Sequence, residues 1–378
     1  MGMEIEEKQK GLHMDHPLTD REIALDILRI LACIGVIGIH ILMDYRMRAD
    51  GTANGGVILA ESLIRWPVPC FLMLSGYFLF QKNLSLKKII GKIIRRLAVP
   101  SALTALFITI FGAWVLGFSG FLQCISNLTV DRLYDYVHLL LEWKLPEPGF
   151  WLGYMTTLMK MYLLYPILKF VCRDNKEANE SRWFLMTLTF VGQMLVPMLG
   201  LECYIYVPID SYALLYFLLG YEIYRCKQNK LLKGKWVLPA CLFGYAVSGI
   251  ITWTASLYLD AGKNGIFTES YFNYTSLNIA VEAFFVFVCF IAISENHTRK
   301  MPPKTEKLIR WLSGRTLVIY LVHYLVILKI QSKGYDEILS SIFGESILFF
   351  LLYLLSVFAI SLFIAAIFEM PSRLNRKF

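Results

Sequence analysis

The sequence predicts an all-α integral membrane protein with about ten transmembrane helices and both termini in the cytoplasm. Of its 378 residues, 57% are hydrophobic and only 17% are charged, and the mean hydropathy is +0.54. Apolar runs of about 18 residues or more recur along the chain, and such runs are typical of transmembrane helices. A soluble domain of this length has no use for that much apolar surface, so the composition favours a membrane protein.

The predicted spans follow the apolar runs in chain order, and the sixth is the shortest. No internal repeat and no soluble domain is recognisable, so residues 22–370 are predicted to form a single membrane domain. A cytoplasmic segment, 1–21, precedes it and lacks the apolar core of a cleaved signal peptide. A basic cytoplasmic tail, 371–378, follows it. The spans are expected at 23–43, 57–80, 97–118, 150–171, 183–201, 211–225, 236–258, 276–293, 315–332 and 345–368.

The charges of the connecting segments predict the orientation in the membrane. Segments 81–96 and 225–235 contain basic residues and no acidic ones, and 299–315 is also rich in basic residues. The intervening segments 119–149 and 202–210 are acidic or mixed. Because basic loops stay in the cytoplasm, both termini are predicted to lie there. The predicted location of the protein is the plasma (inner) membrane. The net charge of +8 is thereby explained by topology, and nucleic-acid binding is not needed to account for it.

Two further patterns limit the function classes. The eight cysteines form no CxxC pair and have no metal-site spacing to histidines, so neither a metal site nor a disulfide is predicted. The stretch DRLYDYVHLLLEW at 131–143 is predicted to form a short amphipathic helix that lies on the membrane surface.

The first predicted span, DILRILACIGVIGIH at 26–40, contains ionisable side chains on one face. Arg29 and His40 are eleven residues apart, which puts them about 20° apart around a helix and about 16 Å apart along it. Asp26 lies one turn before Arg29, and Asp44 lies one turn after His40. Ionisable residues aligned in this way usually line a substrate path. The alternative is that Asp26 pairs with Arg29 and that the polar ends of the helix only reach towards the two membrane surfaces.

Two other ionisable residues lie inside predicted spans, where a charge is costly without a partner. His323 is a second candidate for proton transfer, or alternatively a partner that hydrogen-bonds across helices. Glu282 fits a buried pair with an arginine or a histidine as well as it fits a catalytic role.

Several stretches resemble motifs of the integral-membrane acyltransferase family three, which O-acylates bacterial surface polysaccharides and related acceptors. The spacing from Arg29 to His40 looks like the hallmark of its first helix. The other similar stretches are a second-helix motif, a basic loop that ends in a double arginine before proline, a helix ending and a late helix with a Tyr-Leu-x-His core. They are RWPVPCFLMLSGYFLF (65–80), KKIIGKIIRRLAVP (87–100), YFLLGYEIYR (216–225) and SGRTLVIYLVHYLVI (313–327), and the resemblance is collinear over residues 21–368.

One position departs from the family pattern. Many relatives have a histidine before the tryptophan of the fourth helix, where this chain has Gly149 two residues before Trp151. Any role of that histidine is therefore not transferred to this chain. Trp151 and Tyr320 are interpreted as packing or interface aromatics.

The resemblance implies an enzyme that takes an acyl group, with acetyl the expected one, from cytoplasmic acyl-CoA. The acceptor would be a hydroxyl of an extracytoplasmic carbohydrate or cell-envelope molecule. His40 would act as the base for that hydroxyl, since a neutral imidazole is basic near pH 7. Arg29 would hold the pantetheine or polarise the thioester carbonyl. Arg95 and Arg96, supported by Lys92, would bind the CoA phosphates, unless these residues serve only the topology.

The remaining candidates are accessory. Ser75 would line the path, although the Ser75-Gly76 pair fits close helix packing better than a covalent acyl-serine. Asp44 would orient His40, or alternatively is simply an aspartate at a helix end. The accessory residues are Asp26, Asp44, Arg65, Glu282 and His323.

The competing class is a polytopic transporter or exporter of a sugar or cell-envelope precursor. Against it, no pair of Gly- or Pro-broken helices lies at matching positions in the two halves of the chain. A sensor or scaffold is a third class, disfavoured because no partner domain is recognisable. The sequence predicts neither the acceptor, nor the kind of acyl group, nor the oligomeric state.

Overall fold

The computed structural model describes residues 22–48, 50–81, 84–126, 128–142, 149–198, 201, 211–260, 267–296, 301–344 and 346–368. Within this part of the chain the regular structure is helical, apart from one isolated bridge between Met47 and Ala53. The all-α fold class is confirmed there. The predicted segments 1–21 and 371–378, and the loop 202–210, lie outside the described residues.

The helices are numbered here in chain order. Three short π-helical turns, Ile93–Ala98, Val191–Leu195 and Ser256–Asp260, interrupt or extend them. The helices are α1 Ile23–Leu42, α2 Gly55–Ser62, α3 Pro67–Leu79, α4 Leu86–Lys92, α5 Val99–Val115, α6 Phe121–Ser126, α7 Val130–Leu141, α8 Gly153–Leu163, α9 Tyr165–Val171, α10 Lys176–Phe190, α11 Val196–Met198, α12 Ser211–Gln228, α13 Val237–Ala255, α14 Leu277–Asn296, α15 Pro303–Ser313, α16 Thr316–Gln331, α17 Tyr335–Phe343 and α18 Ile347–Phe368.

Six helical stretches of the described chain are long and apolar enough to cross a membrane, or seven if α15 and α16, bent by 57°, form one span. The three other predicted spans are also helical but are broken or more charged. They correspond to α8 with α9, to α10 with α11, and to α12. The count of ten therefore stays a prediction. The six stretches are Ile23–Tyr45, Gly55–Leu79, Leu86–Val115, Val237–Asp260, Leu277–Asn296 and Ile347–Phe368.

The amphipathic helix predicted in the longest acidic segment is present as α7. It is preceded by the short helix α6, and residues 143–148 beyond it are not described. The predicted position of α7 on a membrane surface stays a prediction.

Helix α1 lies inside the bundle and packs against α3, α14, α16 and α18. Most of its residues are buried, and the exposed Leu31 lies on the face away from Arg29 and His40. A glycine permits one of these contacts, because a Cβ at Gly35 would lie 2.7 Å from the Pro67 ring. The polar residues of α1 therefore face other helices of the protein rather than lipid.

Helices α3 and α12 approach each other through glycines. A Cβ at Gly76 would overlap the carbonyl of Phe217, and a Cβ at Gly220 would overlap the carbonyl of Met73. Small residues permit this kind of close backbone contact between membrane helices. This contact is the close packing that the Ser75-Gly76 pair predicts.

Ion pairs tie several helix ends together where α1 begins. The carboxylate of Glu22 accepts a hydrogen bond from Tyr77 Oη at 2.8 Å and forms an ion pair with Lys227 Nζ, also at 2.8 Å. Lys227 also lies 3.4 Å from Glu295. The start of α1 therefore meets the ends of α3, α12 and α14. We call this end of the bundle the Arg29 end, and the opposite end the His40 end.

Candidate active site

At the Arg29 end, the arginine is held by residues of two helices. Arg29 Nη1 donates to Asp26 Oδ1 at 3.1 Å and to Ser313 Oγ at 3.2 Å, and Ser313 Oγ donates to the same carboxylate oxygen at 2.6 Å. The side chain of Asp26 is 2% exposed and that of Arg29 is 25% exposed. The Arg29–Asp26 pair, which belonged to the alternative interpretation of the sequence, is present. The guanidinium is still partly accessible, so pairing does not remove it from contact with a ligand.

Arg29 and Arg96 lie near the same aromatic side chain. Tyr162 of α8 is within electrostatic range of both guanidinium groups. Arg95 and Arg96 are exposed and Lys92 is half-buried. The fold therefore brings Arg96 towards Arg29, although the two residues are far apart in sequence. Exposed guanidinium groups of this kind are suited to phosphate groups.

A local irregularity presents these arginines. Residues Ile93–Ala98 form a π-helical turn immediately before Pro100. Proline has no N–H, so it cannot donate to the carbonyl four residues earlier, and its ring disturbs the preceding turn. Single π-helical turns occur frequently at functional sites. The double arginine lies on this irregular turn.

Ser75 lies between the two ends. Its hydroxyl donates to the carbonyl of Phe71 at 2.9 Å and is within hydrogen-bonding range of Tyr154. Tyr154 is also within electrostatic range of Arg29. Ser75 is thereby occupied by its own helix and by a tyrosine, and its role in lining a path stays a prediction.

A row of rings connects the two ends, and we call it the aromatic row: Tyr154, Tyr320, His323 and His40. Successive ring centroids are 5.4 Å, 5.6 Å and 5.2 Å apart. The row crosses from α8 through α16 to α1. Trp151 secures this crossing, because its Nε1 donates to the carbonyl of Leu321 at 3.1 Å and its carbonyl accepts from Tyr320 Oη. Trp151 and Tyr320 therefore pack as the sequence predicts, and they also position the row.

His40 and His323 form the end of the aromatic row. Nδ1 of His323 is 2.6 Å from the carbonyl oxygen of Tyr320. A carbonyl only accepts, so in the neutral ring Nδ1 carries the proton and Nε2 is the basic nitrogen. Within the described part of the chain, His323 Nε2 and His40 Nδ1 are buried and have no hydrogen-bond partner. Each of these two nitrogens could therefore accept the proton of a bound hydroxyl.

Aromatic residues surround the His40 imidazole. Phe150 and Tyr324 meet it edge-on, with centroids 5.5 Å and 5.1 Å from its own. Phe150 is half exposed and covers His40 from outside. The position where many relatives have a histidine, Gly149, adjoins Phe150. The second imidazole near His40 comes from α16 instead.

Two buried arginines lie near His40. Arg65 and Arg46 both act electrostatically on its ring, and both bind the carboxylate of Glu61. Sequence reasoning named Arg65 but missed Arg46 and Glu61. The four-residue spacing of Glu61 and Arg65 was the available signal, since residues four apart share a helix face.

The structure separates two of the accessory candidates from His40. Asp44 is exposed, and its carboxylate accepts from Gln331 Nε2 at 2.8 Å. This bond joins the turn after α1 to the end of α16 and does not involve His40. Glu282 is fully buried on α14 within electrostatic range of Arg65, and its carboxylate has no side-chain partner among the described residues.

A family model described as an acyltransferase domain (Acyl_transf_3) matches residues 22–366. This range contains both ends of the aromatic row. The chain belongs to acyltransferase family 3. The resemblance stated from the motifs is confirmed, and the chain is a membrane acyltransferase in general terms. No curated protein and no solved structure matches the chain.

The geometry of this family 3 acyltransferase divides its polar groups into two sets. The Arg29 end offers a partly accessible positive charge, and the His40 end offers two buried ring nitrogens that have no hydrogen-bond partner among the described residues. Tyr154 and Tyr162, which link Arg29 to the rest of the site, were not identified from the sequence. Both lie on α8 in an apolar stretch where tyrosine reads as a packing residue.

Proposed function

We propose that this acyltransferase moves an acyl group, acetyl in the simplest case, from acyl-CoA at the Arg29 end to an acceptor hydroxyl at the His40 end. The carrying observation is the aromatic row, which joins the cationic end to the histidine pair in unbroken steps of 5.2–5.6 Å. The acceptor belongs to a carbohydrate or another cell-envelope molecule on the outer side of the plasma membrane.

The position of the basic segments supports a cytoplasmic donor. Lys227 brings segment 225–235 to the Arg29 end, and Ser313 brings segment 299–315 there. Arg96 brings segment 81–96 to the same end through Tyr162. Since basic segments stay in the cytoplasm, the Arg29 end is the cytoplasmic one in this proposal.

The donor would lie along the path. Arg95, Arg96 and Lys92 would bind the CoA phosphates, and Arg29 would hold the pantetheine or the thioester carbonyl. Arg29 and His40 are about 16 Å apart along α1, a distance comparable with an extended pantetheine arm. The thioester carbon would thus reach the histidine pair while the nucleotide stays among the arginines.

The chemistry at the histidine pair is a direct transfer. The acceptor oxygen attacks the thioester carbon, and an imidazole nitrogen takes the hydroxyl proton. The new carbon–oxygen bond forms as the carbon–sulfur bond breaks, and the proton then passes to the CoA thiolate. The products are the acyl ester and free CoA. Arg65, whose charge acts on His40, would favour the oxyanion that develops on the carbonyl oxygen.

A matched assay tests this proposal. The purified protein in lipid vesicles is given radiolabelled acetyl-CoA and a mixture of envelope glycans, and the label in ester form is counted. Glycans from cells with and without the protein are compared in parallel by mass spectrometry for the loss of an acetyl mass. A transporter would move a solute without consuming acetyl-CoA. Solute movement with no ester formed would contradict the proposal.

A further inference from the structure

An ion cluster lies beside the histidine pair at the His40 end and has no part in the proton transfer described above. Its centre is Glu61, which is fully buried. Both oxygens of Glu61 accept from Arg46, with Nε at 2.6 Å, and one of them also accepts from Arg65. Arg46 is 6% exposed and Arg65 is 5% exposed. Two guanidinium groups are therefore held side by side on one carboxylate.

A second carboxylate closes the cluster from the surface. Glu269, in the loop before α14, accepts from Arg46 Nη1, and its side chain is 50% exposed. The residue has a φ of 57°, a left-handed conformation that is uncommon for a residue other than glycine. Of the two carboxylates described in this cluster, Glu61 is buried and Glu269 faces solution. An incoming anion would therefore meet Glu269 first.

Aromatic rings form the walls of the cluster. The Arg46 guanidinium is 5.1 Å from the Phe267 ring centroid, and the Arg65 guanidinium is 4.3 Å from that of Phe272. Buried guanidinium groups stacked on rings are favoured sites for carboxylate and phosphate. Glu269 covers the side of the cluster that faces solution.

A buried donor remains unused in this cluster. Arg65 Nε is buried and has no hydrogen-bond partner among the residues that the structure describes. A buried N–H without an acceptor is costly, so a ligand oxygen there would be favourable. Since Arg46 and Arg65 also act electrostatically on the His40 ring, a ligand bound to them would lie on the side of the site that His40 shares with these arginines.

Other nearby carboxylates do not fill this place. Asp260 is buried and accepts from the Thr268 hydroxyl and from the Tyr271 N–H, the latter at 3.1 Å. Glu282 is near Arg65, but neither of its carboxylate oxygens has a side-chain partner in the described chain. Both arginines are thus bound by Glu61, and Arg46 is also bound by Glu269 from the surface.

From this geometry we infer that the acceptor is anionic and that its carboxylate or phosphate group binds Arg46 and Arg65 by displacing Glu269. The inference rests on the proposed acyl transfer and names the class of its acceptor. The bound anion fixes the acceptor so that a neighbouring hydroxyl meets His40. In the absence of acceptor, the Glu269 carboxylate takes the position of the anion.

Three acceptors and three variants test this inference in the vesicle assay. The acceptors are an oligosaccharide of glucuronate, the matched oligosaccharide of glucose, and a glycerol phosphate oligomer. The variants are Arg46→Gln, Glu269→Gln and Arg48→Gln. Arg48 is the matched control because it is an exposed arginine two residues from Arg46 whose side chain meets Thr52.

Arg46→Gln and Glu269→Gln are expected to change the KM for an anionic acceptor in opposite directions. Arg46→Gln raises the KM for an anionic acceptor about tenfold or more, because a charge-assisted hydrogen bond is lost, and has a smaller effect with the glucose oligosaccharide. Glu269→Gln lowers the KM for the anionic acceptor, because the competing carboxylate is gone. Arg48→Gln changes neither. The glucuronate and phosphate acceptors distinguish an acidic sugar from a phosphate-containing polymer.

Binding is measured separately by thermal shift with the same acceptors in the absence of acetyl-CoA. Equal use of the anionic and the glucose acceptors, with no gain in Glu269→Gln, would overturn the inference and leave acyl transfer standing. Arg46-dependent binding of the anionic acceptor without any ester formation would support the anion site and contradict the proposed function. Transfer to the glucose acceptor alone would also overturn the inference. Should Arg46→Gln fail to fold, Glu269→Gln and the binding data decide.

Discussion

The imidazole rings of His40 and His323 lie 5.2 Å apart, centroid to centroid, and are inclined by 31° to each other. His323 is fixed by its bond to the Tyr320 carbonyl, whereas His40 is held by edge-on aromatic contacts with Phe150 and Tyr324. One ring thus has a defined tautomer, and the other is free to take or release a proton at Nδ1. In the proposed mechanism the two rings would act as a unit on one proton.

The first prediction concerns this pair. His40→Gln is expected to lower turnover by about 10²–10⁴-fold, because glutamine hydrogen-bonds but does not take a proton near neutral pH. The KM for acyl-CoA should change little, since the donor is bound at the other end. Steady-state kinetics at saturating substrate measure both parameters.

A second variant and a control sharpen this test. The variant His323→Gln and the double variant with His40→Gln are measured as well. The double variant should lose less turnover than the product of the two single losses, as expected of residues that act as a unit. His138→Gln, at an exposed position on α7, should have no effect. Near-normal turnover of His40→Gln would make His40 a structural residue, and the base would then be sought at His323 or Glu282.

Replacing Arg29 is expected to raise the KM for acyl-CoA, whereas replacing His40 is expected to lower turnover. Arg29→Lys keeps the charge but loses the planar group that reaches Asp26 and Ser313 together. The KM for acyl-CoA should rise by about tenfold while the protein still inserts into the membrane, because one charge-assisted contact is weakened. Kinetics with varied acyl-CoA and a membrane-insertion assay measure the two properties.

Ser313→Ala separates support from direct binding. It removes the hydroxyl that connects Asp26 and Arg29 but keeps both charges. A smaller rise in KM is expected than for Arg29→Lys. An unchanged KM in Arg29→Lys would show that the Arg29 charge alone, or its pair with Asp26, is all that the site requires.

The double arginine should not act symmetrically. Arg96 approaches Tyr162 and Arg29, and no such relation is found for Arg95 in the described residues. Arg96→Gln should therefore raise the KM for acyl-CoA more than Arg95→Gln, and replacing both should raise it most. The measurement compares acyl-CoA with a truncated thioester that lacks the nucleotide. Equal effects on long and truncated donors would mean that the pair serves topology alone.

The sequence predicted the helices of this site better than its contacts. Arg29, His40 and His323 were identified because ionisable residues are conspicuous in apolar spans. The approach of His323 to His40 was not predictable, because it depends on how α16 packs against α1. Helix periodicity places residues on one face of one helix but says nothing about the face of a distant helix.

The missed residues have a common physical reason. Arg46 and Glu61 lie near the predicted span edges, where charges are ordinarily solvated, and only tertiary packing buries them. Tyr154 and Tyr162 lie in an apolar helix, where an aromatic ring usually packs. The Gly76 contact with α12 was predictable, since small residues in membrane helices indicate close packing.

The final prediction tests which membrane side each end faces. Single cysteines are placed in a variant that lacks the eight native ones, at Ser126, Ser270 and Asn229, all exposed. Ser270 follows Glu269, which binds Arg46, so it belongs to the His40 end. Asn229 follows Lys227, which binds Glu22, so it belongs to the Arg29 end. An impermeant maleimide should label Ser126→Cys and Ser270→Cys in intact cells, and Asn229→Cys only after the cells are opened.

The physical basis of this expectation is the charge of the segments. Segment 225–235 contains no acidic residue, and moving such a segment across the membrane is disfavoured. Its attachment to the start of α1 then fixes the side of Arg29 as well. Labelling of Asn229→Cys in intact cells would reverse the orientation. Arg95 and Arg96 would then lie on the side away from cytoplasmic acyl-CoA, and the donor would have to enter near His40.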